Sequence, residues 1–127
     1  LKRKQEIRLE IATDASGDAT VLATKSVSGR LQRVVWVDGD LVDGVDAVLS
    51  ATQTPAGVDE TLLTLTDANT DSIYRPRALV HDEAGAALTG TQGGDRVAPY
   101  FSGTLEVVVS SGGATKSGAM ICYVGSE

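Results

Sequence analysis

Apolar and polar residues alternate with a period of two along most of this chain. Ile7, Leu9 and Ile11 interleave with Glu6, Arg8 and Glu10, the pattern of a strand with one dry face and one wet face. Thr13-Asp14-Ala15-Ser16-Gly17-Asp18 follows. Its Asp and Ser side chains can bond nearby backbone and its Gly accepts positive φ, so a turn is expected there. A short strand over 19–25 would then complete a hairpin with the first. Beyond Ser28-Gly29 a more deeply buried strand is expected, in which Leu31, Val35 and Val37 alternate with Gln32, Val34 and Trp36.

The remaining segments read the same way. Residues 45–52 and 61–66 form two further strand patterns, separated by the breaker Pro55-Ala56-Gly57. Residues 72–80 contain Pro76, which cannot donate to a ladder, so this strand is expected at an edge, at a bulge, or as two short pieces. Residues 83–95 are Gly-rich and irregular and read as a long surface excursion. Leu105, Val107 and Val109 alternate with Glu106 and Val108, and 118–124 is a last strand. The final two strands are expected to pair as a hairpin across the loop 110–117. About eight strands with turn signals between them, and no capped stripe of helical period, predict an all-β fold. The expectation is one domain over 1–127, an antiparallel β-sandwich or jelly-roll-like barrel, with 1–5 as a basic N-terminal arm.

Composition narrows the partners. The chain has 127 residues and 13.1 kDa, 42% apolar and 22% charged, with a net charge of −6 and a pI near 4.7. Size alone permits a core without a disulfide or metal. The negative sign argues against direct binding to nucleic acid or to an anionic membrane, both of which attract cations. No stretch approaches the ~20 apolar residues of a membrane helix. Aromatic residues are 4% of the chain, few for stacking bases or sugars.

Chemistry-bearing motifs are weak, and no enzyme activity and no cofactor are expected. His81-Asp82-Glu83 sets an imidazole beside carboxylates, but neighbours on a strand point to opposite faces. Cys122, the one cysteine, lies in the apolar run Met120–Val124 and reads as a small core side chain. No serine sits in a Gly-x-Ser-x-Gly elbow. Gly112-Gly113-Ala114-Thr115-Lys116-Ser117 has Thr where a phosphate-binding loop needs Gly before the lysine, and a strand follows it. Asp38, Asp40, Asp43 and Asp46 gather hard oxygen ligands, but Val42 and Leu49 stand where a Ca²⁺ loop of the helix–loop–helix type needs oxygens. A solvated acidic loop is the plainer reading, with a weak cation site as the alternative; no metal ligand is assigned.

Charge is uneven along the chain. Lys2, Arg3, Lys4 and Arg8 oppose Glu6 within the first eight residues, so a basic arm precedes an acidic body. Tyr74-Arg75-Pro76-Arg77 places two arginines beside a tyrosine, residue types enriched at interfaces. Lys2, Arg3, Lys4, Tyr74, Arg75 and Arg77 are therefore the candidate interface residues.

Three stretches carry a family likeness: 13–20 with 27–31; 63–66 with 74–78; and 105–118, which includes Ser110-Ser111-Gly112-Gly113-Ala114-Thr115-Lys116-Ser117-Gly118. In their arrangement the chain resembles small all-β virion proteins of tailed bacteriophages. The resemblance implies a non-enzymatic structural subunit, made in the host cytoplasm and carried in the virion. The implied role is a capsid cement or decoration protein that binds the outside of the head shell and clamps adjacent subunits. Its partners would be the major capsid protein and further copies of itself, a trimer being suited to threefold lattice positions. A neck or tail component is the alternative within the particle, and a host-surface or carbohydrate-binding module the alternative outside it.

Overall fold

The alternation resolves into strands throughout the part of the chain that the computed structural model describes, residues 4–55, 57–79, 84 and 96–125. Ten strands occur among them: β1 (Lys4–Ala12), β2 (Ala19–Leu22), β3 (Val27–Val37), β4 (Asp46–Thr52), β5 (Glu60–Leu65), β6 (Ser72–Tyr74), β7 (Ala78–Leu79), β8 (Arg96–Val97), β9 (Tyr100–Ser110) and β10 (Ser117–Gly125). The described residues contain no helix. Pro76 splits its segment into the two short pieces β6 and β7, as the missing N–H requires. The excursion expected over 83–95 lies outside the described residues apart from Ala84, as does His81.

Eight strands form one hydrogen-bonded sheet, in the order β1-β10-β3-β9-β4-β5, with β2 on β9 and β6 on β3. All pairings are antiparallel. The sheet folds over itself into an antiparallel β-sandwich. Its first layer is β1, β10, β3 and β6, and its second is β2, β9, β4 and β5. Leu9, Ile11, Leu31, Val34, Trp36, Met120 and Cys122 of the first layer share one core with Leu49, Leu65, Leu105, Val107 and Val109 of the second. Trp36 is fully buried and its indole N–H donates to the Ala68 carbonyl at 3.0 Å, so its polar edge is satisfied.

The strand β9 joins the two layers. Residues 100–103 pair with 27–30 of β3, and 104–110 pair with 46–52 of β4. Glycine sits where the partners change. A Cβ on Gly103 would lie 2.5 Å from the Thr52 carbonyl oxygen, and one on Gly29 would lie 2.5 Å from that of Gly125. Close backbone approach at these corners therefore demands the residue with no side chain.

Two expected hairpins do not form. β1 pairs with β10 and β2 with β9, so the turn at 13–18 crosses from one layer to the other. The loop 111–116 likewise carries the chain from β9 in one layer to β10 in the other, and these strands are not partners. Thr13 fixes both crossings: its hydroxyl lies 2.6 Å from the Gly113 carbonyl oxygen and accepts from the Lys116 N–H at 2.8 Å.

The phase of β3 also differs from the expected one. Leu31, Val34 and Trp36 are buried together, while Val35 and Val37 are only half-buried. The register against β10 runs Arg33↔Tyr123 and then Leu31↔Val124. Gln32 is thus the extra residue of a bulge, which shifts the alternation by one position.

Candidate functional site: a basic cleft beside the bulge

The bulge at Gln32 sets up a strongly basic concavity. Lys4, Gln32, Arg33, Arg75, Arg77 and Tyr123 line a cleft of about 280 Å³. Four of the chain's eleven Lys and Arg side chains are in this lining, and no carboxylate is. β1 contributes Lys4 from its first residue. β3 contributes Gln32 and Arg33, and β10 contributes Tyr123 directly opposite Arg33. The Arg33 guanidinium lies over the Tyr123 ring, 4.3 Å from its centroid, a cation–π contact that holds the charge in place. Arg75 and Arg77 arrive from the segment that Pro76 excludes from the ladder. Arg77 Nη1 donates to the Pro76 carbonyl at 2.6 Å and reaches the Gln32 carbonyl at 3.5 Å.

Lys4, Arg75 and Arg77, distant in sequence, are therefore brought together. Tyr74 is not among them: it is half-buried and packs against the core from β6. Alternation accounts for this, because Tyr74 points inward where Arg75 points out. Lys2 and Arg3 lie outside the described residues. Arg33 and Tyr123 were not expected at the site. Arg33 is one of two arginines in a strand read for its apolar positions and Tyr123 sits in an apolar run, so neither stands out without knowledge of the bulge.

Other candidate chemistry is absorbed by the fold. Cys122 is buried, and burial pushes its thiol up to about 12, which keeps it protonated and unreactive at neutral pH. In the acidic loop, Asp40 accepts from the Ser117 N–H at 2.6 Å, which lowers its pKa. Asp71 accepts from the Asp38 N–H at 2.8 Å, and Asp46 from the Asp67 N–H at 3.0 Å. These carboxylates cap loops. Asp38 differs: its Oδ1 is buried without a hydrogen-bond partner, and desolvation, then repulsion from Asp71, Asp43 and Asp40, raises its pKa. Among the described residues no group of three His, Cys, Asp or Glu side chains is placed to hold a metal ion.

No family model matches the chain. No curated protein matches it either. Among solved structures, chains from infectious bursal disease virus, strains Gx and Gt, align with it at 15% and 16% identity, each with a TM-score of 0.29. The alignments cover 98% and 97% of this chain but 38% and 36% of the viral ones. The chain thus spans little more than a third of the proteins it is compared with, and a likeness this distant carries no weight for its role.

Proposed function

We propose that this chain is a structural subunit of a bacteriophage virion, and that it acts as a capsid cement or decoration protein. The observation that carries the reading is the cleft. An acidic protein concentrates Lys4, Arg33, Arg75 and Arg77 around one concavity with no carboxylate in its lining. Such a patch suits an acidic surface of a neighbouring protein, with carboxylates meeting guanidinium forks and Tyr123 supplying apolar area. The chain's resemblance to small all-β phage virion proteins supplies the setting, and the major capsid protein is the partner it implies.

The aromatic residues support a protein partner over a sugar. Trp36 and Phe101 are buried in the core, Tyr74 packs against it, and Tyr123 lies beneath Arg33. Tyr100 alone of the five is broadly exposed, at 55%, and one ring is a poor platform for a glycan.

The test is addition of purified protein to expanded empty heads, followed by sedimentation of the particles. Binding at a fixed ratio to capsid subunits is the expected result. The double variant Arg75→Glu, Arg77→Glu should lose at least about tenfold in affinity, since both side chains are exposed and each reversal opposes an acidic partner. No binding to heads overturns the capsid role. Binding that is indifferent to the double reversal removes the cleft from it.

A further inference from the structure

Beside β1 the sandwich is not closed. Among the described residues β1 pairs only with β10 and β2 only with β9, so the first and second layers each end in an edge that no described strand pairs on this side. The gap between them is a groove of about 380 Å³, lined by 6–10 of β1 and by 21–25, which include the end of β2. The direction of the free main-chain groups follows from the ladder. Thr13 N–H donates to the Lys116 carbonyl at 2.9 Å, which makes 13↔116 a hydrogen-bonded pair. Pairs alternate along an antiparallel ladder, so Ile11, Leu9, Ile7 and Gln5 turn their main chain toward β10. Lys4, Glu6, Arg8 and Glu10 turn theirs outward, the last three of them at the groove.

The same four residues carry charges of alternating sign on one face of β1, and all four are exposed. Arg8 already ion-pairs with Glu10 within the strand. Charges on an edge usually keep other strands away; here their order is complementary to itself. When β1 is laid antiparallel to a second β1 across a two-fold axis, outward-facing residues must pair with outward-facing residues, which leaves few registers. The register with Glu6 opposite the second copy's Arg8 also sets Lys4 opposite its Glu10, so every facing pair is attractive. Sliding by one step of two residues either way sets Glu6 opposite Glu10 and Arg8 opposite Arg8, or Glu6 opposite Glu6 and Lys4 opposite Arg8. Like charges directly opposite are destabilising. The attractive register puts the half-buried Ile7 on the axis, facing its symmetry mate on the inner side.

We propose that β1 is a self-recognition edge, pairing antiparallel with β1 of a second copy in the Glu6–Arg8 register to make a dimer with a sheet continuous through both subunits. The added strand also covers Leu22, which is 44% exposed at the mouth of the groove. This contact goes beyond capsid docking and does not depend on it. It is two-fold, in place of the trimer that shell symmetry suggests.

The experiment is sedimentation equilibrium of the purified protein and four variants, with circular dichroism to check folding. The wild type should be a dimer that dissociates on dilution. Glu6→Arg and Arg8→Glu should each weaken it on the order of tenfold, because each creates two like-charge pairs across the axis. The double variant, Glu6→Arg with Arg8→Glu, should recover the affinity. Arg8→Pro removes an N–H that the β1–β10 ladder does not use, so it should fold and be monomeric. A monomeric or trimeric wild type overturns the proposal. So does a single reversal that leaves the dimer unchanged or strengthens it, or a double variant that does not recover. These outcomes are separate from head binding, which is read on the particles.

Discussion

At the scale of single residues, Asp38 is the one described carboxylate whose buried oxygen lacks a partner. Its raised pKa means that the folded state holds the proton more tightly than the unfolded chain does. Stability from this group is therefore full below the ordinary carboxylate pKa. It declines as pH rises from there through the raised value, and the cost persists at neutral pH. Asp38→Asn removes the charge and should raise the melting temperature by about 2 °C at pH 7, an amount tempered by the partial exposure of the site. The gain should vanish as pH falls through the carboxylate range, which thermal melts at pH 7, 5 and 3 will show. Thr13 is the contrasting case. Its buried hydroxyl serves Gly113 and Lys116 together. Thr13→Val keeps the volume but strands a carbonyl and an N–H, and should cost about 1–3 kcal/mol in urea unfolding.

At the scale of elements, the corner in β9 is the sharpest constraint. Gly103→Ala drives a methyl group against the Thr52 carbonyl at a backbone angle of φ +153°. It should destabilise by about 2–4 kcal/mol. The same change at Gly57 meets nothing within 4 Å but is strained by its φ of +76°, so denaturant midpoints for the two variants separate the clash from backbone strain alone. The elements also show what the sequence alone could convey. Alternation located β1 and β9 and their buried faces, since Leu9, Ile11, Leu105, Val107 and Val109 are buried as the period requires. It placed Val35 and Val37 on the buried face with Leu31, where Val34 and Trp36 belong, because a bulge changes the phase without any turn residue to announce it. Partner choice was also hidden. Short polar loops at 13–18 and 111–116 look alike whether they close a hairpin or cross between layers, and distant pairing decides which. The site was half legible: Lys4, Arg75 and Arg77 are visible as charge, whereas Arg33 and Tyr123 join them only through that bulge.

At the scale of the whole molecule, net charge and local charge serve different ends. An overall charge of −6 opposes non-specific association of copies, while the contacts proposed for the cleft and the β1 edge draw on the local order of charge. The order of strands has a consequence for the making of the protein. β10, the last of the described strands, lies between β1 and β3. During translation those two strands therefore wait, with the edges that β10 pairs left open, until residues 117–125 leave the ribosome. Folding of this sheet must wait for β10 and be slow, because its pairings join distant parts of the chain. A chain ended at Lys116 should show no cooperative melt, although nine of the ten strands are present in it. Supplied as a nascent chain, it should be cut rapidly by added protease, whereas the chain released through Gly125 should resist. Until β10 is made, the protein would rely on chaperones or on speed of synthesis to stay out of aggregates.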